Sequence, residues 1–388
     1  MTTGFTTPGA GEYRARKISA MPPAAIRSRS SYFPNWRSDD EDTWRAVGPY
    51  SLGAHESIGI RGPGSMLCRV RTLCVVVGLV AAPSLAQPVV LLFPAVGTTS
   101  QVTVSGRVLK NGPSGGSSTV SKNLRRLTTS NWEGASVEVR FEGQQAQVTS
   151  GHDGNFEATF SAQKTPFPVG LTTVEAQVKG AEPGRATVDV MAKEAPFFVI
   201  SDFDDTVAVT NVLDKPKFVK TVFGQDELTQ PVVEGMAPLY TCLREQPARP
   251  VFALVSGSPV QYTARVSRFL QRHDFPVFGQ YLRDLGPSTL SDYKQPVIRS
   301  LLKAIPGPVV LIGDSGEKDP EVYAQIRSEF PDRVKAIFIR NAGRADDATR
   351  FPQMTVFSHP REVAKVAVEL GLVSRGCAAS LDAPDGGR

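Results

Sequence analysis

The chain has 388 residues, of which 41% are hydrophobic and 21% charged, and its formal charge is +5. That length suits about two domains with real apolar cores. The mild charge, with no basic stripe carrying interleaved aromatics, argues against a nucleic-acid partner, and no Cys/His spacing fits a zinc site. The four histidines (His55, His152, His273, His359) are scattered and read as surface or turn residues.

Residues 1–65 are rich in Arg, Ser, Pro and Gly and show no period, so they read as a disordered leader or a wrongly assigned start. "MLCRVRTLCVVVGLVAAPSLAQ" follows, with Arg69 and Arg71, an apolar stretch from Leu73 to Ala82, and small residues before Gln87. An apolar run that short falls below the roughly 20 residues of a spanning helix and suits a signal peptide at 66–86. Export to the periplasm or the outside is the expectation, with possible membrane association, no transmembrane helix in the mature chain, and Met66 as an alternative start. Cys68 and Cys74 fall inside the segment. Cys242 and Cys377 remain, too few for a disulfide framework. Cys242 reads as a small core residue, and Cys377 as part of a disordered tail at 374–388.

Residues 88–194 form the first domain. "QVTVSGRVL", "ASVEVRFEG", "GNFEATFSA" and "TTVEAQVKG" alternate apolar and polar positions, and "ATVDVMA" ends the series. Turn chemistry such as Asp153-Gly154 separates them. About five or six short strands predict a small antiparallel β-sandwich, interrupted by the Gly/Ser-rich "KNGPSGGSSTVSK". Its role is either structural packing or binding through its loops.

From residue 195 to 373 the pattern changes. Continuous apolar runs, "FFVIS", "VFALVS", "VVLIG" and "VKAIFIR", alternate with segments of helical spacing. Strands buried on both faces and linked by helices predict a doubly wound parallel sheet. Ligands of such sheets sit at the carboxyl ends of the strands.

The polar clusters fall there. Asp202, Asp204, Asp205 and Thr206 end the first run in "SDFDDT"; Ser256 and Gly257 lie in "VSGSP", Lys294 in "DYKQP", and Asp314 and Asp319 in "GDSGEKD". Carboxylates packed this densely repel one another unless a cation sits among them. A carboxylate sharing its charge with a divalent ion can attack phosphorus. If the chain bends after Asp202, Asp204 can serve as general acid and then activate water. Oxygen ligands from Asp202 and Asp314 favour Mg²⁺, and Ser256 and Lys294 could hold phosphate oxygens. Plainer readings stand beside these. Asp319 and Ser258 each precede a proline as a helix N-cap would, and Thr206 could simply fix its loop.

These four motifs, in order and in register, resemble the signature set of the haloacid dehalogenase superfamily. More narrowly, "SDFDDT", "VSGSP", "FPVFGQYLRD", "GDSGEKDPEVY" and "RVKAIFIRN" are similar to the catalytic domain of the actin-patch-protein type of phosphatidate phosphatase, which is related to lipins. The resemblance spans about residues 195–372, and the β domain also resembles the N-terminal part of bacterial members. It implies a haloacid-dehalogenase-like fold without a large cap, and cleavage of phosphatidate to diacylglycerol and phosphate through an aspartyl-phosphate. Asp202 would be the nucleophile and Asp204 the acid/base. Asp202, the carbonyl of Asp204, Asp314 and Asp319 would serve Mg²⁺. Thr206, Ser256, Gly257 and Lys294 would contact substrate.

The stretch before Lys294 is shorter than is common in that family, and no large cap fits between the motifs. An open site suits a bulky or membrane-borne phosphate ester. Lys215, Lys217 and Lys220, with Phe218 and Val219 among them, could press on an anionic lipid surface or form a solvated flap. Alternatives are a phosphatase of another phosphomonoester and a catalytically silent surface- or lipid-binding protein. A signalling receiver domain is disfavoured, because its phosphorylated Asp stands on a later strand than its acidic pair.

Overall fold

The computed structural model describes residues 87–111, 130–210, 229–246, 248–284 and 290–381. The leader at 1–65, the signal segment at 66–86 with Cys68 and Cys74, most of the Gly/Ser-rich loop, the Lys215–Lys220 stretch and residues 382–388 lie outside the described residues.

The N-terminal half contains β1 (Val89–Leu92), β2 (Ala95–Thr98), β3 (Gln101–Leu109), β4 (Ser136–Phe141), β5 (Gln144–Thr149), β6 (Asn155–Ser161), β7 (Gly170–Gln177) and β8 (Gly184–Met191). Alternation places Val137, Val139 and Phe141 of β4 and Phe156, Ala158 and Phe160 of β6 in one apolar core, with Val174 and Ala176 of β7. The β4–β5 hairpin turns on Glu142 and Gly143, both at positive φ (45° and 72°), as a two-residue turn matching the strand twist requires.

Hydrogen bonding runs β1-β3-β2-β8-β7-β4-β5, with β6 paired to β3, so eight strands form one continuous sheet. The expectation of about five or six antiparallel strands in a sandwich therefore changes. β1 and β2 come from a stretch that is apolar almost throughout, and β5, "QQAQVT", is too polar to show a buried face. β2 runs parallel to β8, and this single parallel pairing makes the sheet continuous.

The second half is a six-stranded, all-parallel sheet. Its strands are β9 (Phe198–Ser201), β10 (Phe252–Pro259), β11 (Phe278–Arg283), β12 (Val309–Asp314), β13 (Val334–Arg340) and β14 (Thr355–Phe357). The order is β11-β10-β9-β12-β13-β14, so the chain reverses direction across the sheet on either side of β9. The helices are α1 (Met236–Arg244), α2 (Thr263–Arg272), α3 (Leu290–Ala304), α4 (Asp319–Glu329), α5 (Pro360–Glu369) and α6 (Arg375–Ser380). Side chains alternating along β9 feed two cores, Val199 on one face and Phe198 and Ile200 on the other.

The two halves meet along β11, the edge strand. Gln280 donates its backbone N–H to the Pro94 carbonyl at 2.8 Å, and Val96 and Met191 join the core formed with Phe198 and Ile200. Gly279 lets the backbones approach, since a Cβ there would lie 2.9 Å from the Val96 nitrogen. Arg107 pairs with Asp284 at 2.8 Å, and buried Asp189 on β8 accepts from Arg244 at the end of α1.

The C-terminus corrects two expectations. Residues 374–381, expected within a disordered tail, form α6, capped by Ser374 accepting from the Cys377 N–H at 3.1 Å. Cys242 and Cys377 are joined by a disulfide across 135 positions. The Ala/Gly-rich tail has no apolar period of its own. It is held by the disulfide, by burial of Leu381, and by Arg361 donating to the Leu381 carbonyl at 2.7 Å.

Candidate active site

Strand β9 ends at Ser201 because the next residues turn. The backbone N–H groups of Thr206, Val207 and Ala208 all donate to the Phe203 carbonyl, at 3.3, 2.9 and 3.1 Å. Asp205 takes φ = 54°, a left-handed conformation that Asp tolerates better than most residues. Thr210 locks the turn: its N–H donates to Asp205 Oδ1 at 2.9 Å, and its hydroxyl accepts the Asp205 N–H at 3.0 Å. Arg340, at the end of β13, donates to the Asp205 carbonyl at 2.5 Å. The bend that the sequence required for Asp202 and Asp204 to act together is present.

Asp202 is fully buried and held by its backbone N–H on the Ile312 carbonyl at 2.9 Å. Lys294, on the first turns of α3, is 1% exposed and donates to Asp202 Oδ1 at 2.9 Å. The same amine donates to Asp319 Oδ1 and lies 3.8 Å from Glu317 Oε2. Thr206 Oγ1 stands 3.4 Å from Asp202 Oδ2. Carboxylate oxygens of Asp202, Asp314 and Asp319 lie within 4.8 Å of one another. Asp314 Oδ1 accepts from the N–H groups of Gly316 (2.6 Å) and Glu317 (3.3 Å), while its Oδ2 is buried without a hydrogen-bond partner. Asp319 is the first residue of α4 and makes no cap. Its side chain turns inward and accepts the Asp314 N–H at 3.3 Å, so the N-cap reading is set aside.

Asp204 points elsewhere. Its Oδ2 accepts from Ser256 Oγ at 3.1 Å and Ser258 Oγ at 2.6 Å. Its side chain is therefore outside the three-carboxylate cluster. Ser258 is not a cap: it lies in β10, and the sequence signal for its role was only its place in "VSGSP". Gly257 lines a small cavity beside Asp204.

One amine lies within ion-pair reach of three acids, Asp202, Glu317 and Asp319, and the electrostatics follow. Burial pushes the Asp202 carboxyl up to about 6, with Lys294 opposing and Asp319 adding to the rise. Burial, then the Asp202 charge, lifts Asp204 to about 6 against the two serine hydroxyls. Burial lifts Glu317 to about 8 and Asp314 well above the ordinary carboxylate range. For Lys294, burial works downward, but Asp202 and Asp319 outweigh it and its pKa rises. The excess negative charge has a definite place, among Asp202, Asp314 and Asp319. Three hard oxygen donors there, one of them unpartnered, suit a small divalent cation.

Residues missed in the sequence include Glu317, visible only as a member of "GDSGEKD", and Arg350. Arg350 donates to the carbonyls of Ser315 (2.8 Å), Glu317 (2.9 Å) and Arg344 (2.9 Å), and its guanidinium pairs with Glu321 at 2.7 Å. It fastens the loop that carries the acids, and no motif marks it.

Residues 197–341 match the family profile described as the phosphatidate phosphatase APP1 catalytic domain. An uncharacterized protein of Schizosaccharomyces pombe is 34% identical over 152 residues. Phosphatidate phosphatase APP1 of Saccharomyces cerevisiae is 32% identical over 151 residues. Each alignment covers 37% of this chain and 25% of the relative, so the chain spans about a quarter of the length of these curated relatives. Among solved structures, a haloacid dehalogenase family hydrolase from Deinococcus radiodurans aligns at 16% identity and a TM-score of 0.32, covering 47% of this chain and 99% of that one. Residues 197–341 are thus similar to the catalytic domain of APP1-type phosphatidate phosphatases, and this likeness supports a phosphatidate phosphatase-like hydrolase.

Proposed function

We propose that the chain is a Mg²⁺-dependent phosphomonoester hydrolase that works through an aspartyl-phosphate, with phosphatidate as its substrate. The observation that carries this reading is the division of labour between two carboxylates two residues apart. Asp202 sits in the buried acidic cluster on Lys294, and Asp204 sits on the hydroxyls of Ser256 and Ser258. We read the parallel sheet as haloacid-dehalogenase-like, in keeping with acidic loops at the carboxyl ends of β9 and β12.

Asp202, Asp314 and Asp319, with the backbone carbonyl of Asp204, would hold the cation. When bound it would supply charge neutralisation for a carboxylate approaching a phosphate dianion. Lys294 orients Asp202 and brings positive charge to where phosphoryl oxygens would lie. The Asp202 carboxylate forms a bond to phosphorus as the phosphorus–oxygen bond of the ester breaks. Asp204, with a pKa near 6, retains enough of its proton to give it to the departing alcohol oxygen. It then takes a proton from water attacking the acyl phosphate, which frees phosphate and restores Asp202. Ser256 and Ser258 fix the Asp204 oxygen that exchanges this proton.

Export is part of the reading, and the Cys242–Cys377 disulfide supports it, because such bonds persist chiefly in oxidising compartments. Among the described residues no helix is long and apolar enough to cross a membrane.

The test is phosphate release by the full chain from phosphatidate vesicles and from a soluble aryl phosphate, with Mg²⁺ or with chelator. Mg²⁺-dependent release from phosphatidate that Asp202→Asn abolishes is the expected result. Release from the aryl ester alone would keep the chemistry and discard the lipid. Release from neither, by folded protein, would discard both.

A further inference from the structure

Strand β9 ends at Ser201, and Asp202 is the first residue beyond it. Its backbone is nevertheless held from both faces of the sheet. On one face Tyr323, of α4, donates its hydroxyl to the Ile312 carbonyl at 3.0 Å, and the same carbonyl accepts the Asp202 N–H at 2.9 Å. On the other face Ser201 Oγ donates to the Asp202 carbonyl at 2.7 Å and lies 2.5 Å from the hydroxyl of Tyr240, on α1. A serine has one proton to give, and here it goes to the carbonyl, so Tyr240 donates to the serine. Both tyrosines are buried, Tyr240 in the core that contains Val199 and Tyr323 in the core that contains Phe198 and Ile200. The rings of Phe252, Phe275 and Phe278 pack at 5.5–5.8 Å from the Tyr240 ring and fix where its hydroxyl points. Phenylalanine would fill either position without a polar group to bury, so packing alone gives no reason for two phenols that converge on one residue.

We propose that Tyr240, acting through Ser201, and Tyr323, acting through the Ile312 carbonyl, are positioning residues that fix the backbone of Asp202 for attack on phosphorus. The assignment rests on the phosphatase reading above. Neither tyrosine touches the reacting atoms. A carboxylate nucleophile has to meet phosphorus in line with the departing oxygen, and the direction of its side chain is set by the peptide groups on either side of its Cα. The Asp202 N–H and carbonyl are those groups, and each is tied to a phenol from a different face of the sheet. Two braces on opposite faces resist rotation of the peptide planes in a way that one cannot. An error of about 1 Å in such a placement costs on the order of 100-fold in rate, so a partial loosening is expected to cost about tenfold.

The measurement is kcat and KM of the full chain in saturating Mg²⁺, on whichever of the aryl phosphate and phosphatidate wild type cleaves, beside the thermal midpoint of each variant. Tyr240→Phe and Tyr323→Phe should each lower kcat and kcat/KM together by about tenfold with KM unchanged, the signature of an interaction used only in the transition state. Tyr281→Phe is the control. That tyrosine is also buried, and its hydroxyl accepts the Val96 N–H at 3.5 Å, at the seam between the halves. It should lower the midpoint and leave kcat as it is. Ser201→Ala cuts the same chain as Tyr240→Phe, so it should match that variant in kcat, and the double variant should fall no further. Should Tyr240→Phe fail to fold, Ser201→Ala reads the same brace. Tyrosine variants that lose stability as Tyr281→Phe does but keep wild-type kcat, or a Ser201→Ala/Tyr240→Phe pair whose losses multiply, overturn the positioning role while the phosphatase reading stands. A folded wild type that cleaves neither ester overturns the phosphatase reading, and the positioning role falls with it.

Discussion

Replacing Asp204 by Asn should make the metal-free protein more stable at neutral pH while abolishing turnover. The wild-type carboxyl is fully buried, and burial together with the Asp202 charge lifts it from 3.8 to about 6. A carboxyl whose folded-state pKa lies above its unfolded value binds its proton more tightly when folded. This contribution is present below about 3.8 and is lost as the pH rises through about 6. A rise from 3.8 to about 6 corresponds to roughly 3 kcal/mol. For a protein of this size that is on the order of 4 °C in the thermal midpoint. The assay is thermal unfolding in chelator at pH 4, 5, 6 and 7. Wild type should lose stability across that range, and Asp204→Asn should lose markedly less. The asparagine keeps a carbonyl oxygen for Ser256 and Ser258 without a charge to bury. Mg²⁺ should restore wild type most at the highest pH, since binding to the folded state adds stability by mass action. Equal pH slopes in the two proteins, or an Asn variant less stable at pH 7 in chelator, would refute the reasoning.

Other outcomes follow from the same geometry. Lys294→Met leaves Asp202, Asp319 and Glu317 without their shared cation and should destabilise the metal-free protein by about 3–5 kcal/mol, read by urea unfolding in chelator. Gly313→Ala would set a methyl group against the Asp319 carboxylate, and turnover should fall by about 100-fold although no reacting group changes. Cys377→Ala, or reductant on wild type, should lower stability by about 2–4 kcal/mol through loss of the long covalent loop, and thiol titration before reduction should find no free Cys242. Arg244→Met leaves the buried Asp189 carboxylate without that partner at the seam between the halves, which should cost about 3 kcal/mol and increase protease cleavage between them.

Much of the catalytic half is written in local chemistry. "FFVIS", "VFALVS", "VVLIG" and "VKAIFIR" are apolar on both faces because their strands are covered on both, and such runs need no tertiary information to recognise. Asp202, Asp204, Ser256, Lys294, Asp314 and Asp319 stand out because charge at the end of an apolar run requires a reason. The strand β5 is different: "QQAQVT" pairs with β4 through its backbone, and backbone pairing leaves no side-chain pattern. Ser258 and Asp319 were ambiguous because a residue before proline at a helix start satisfies the cap pattern whichever way its side chain turns. Arg350 was invisible, since a guanidinium that fastens carbonyls reads like any surface arginine.

The sequence by itself determined the α/β class of residues 195–373, the strand-rich character of the half before it, and Asp202, Asp204, Asp314 and Asp319 as candidate acids, though not Glu317, because these depend on periodicity and on residue type. Only the tertiary structure decided how the acids divide. The bend after Ser201 sends Asp202 to Lys294 and Asp204 to the hydroxyls of β10. It likewise decided that Cys242 meets Cys377, since a disulfide needs two sulfurs brought together across 135 positions and spacing alone does not report that distance. Each of these contacts joins elements far apart in the chain, and such pairings become physical only once the sheet order has placed their strands and helices side by side.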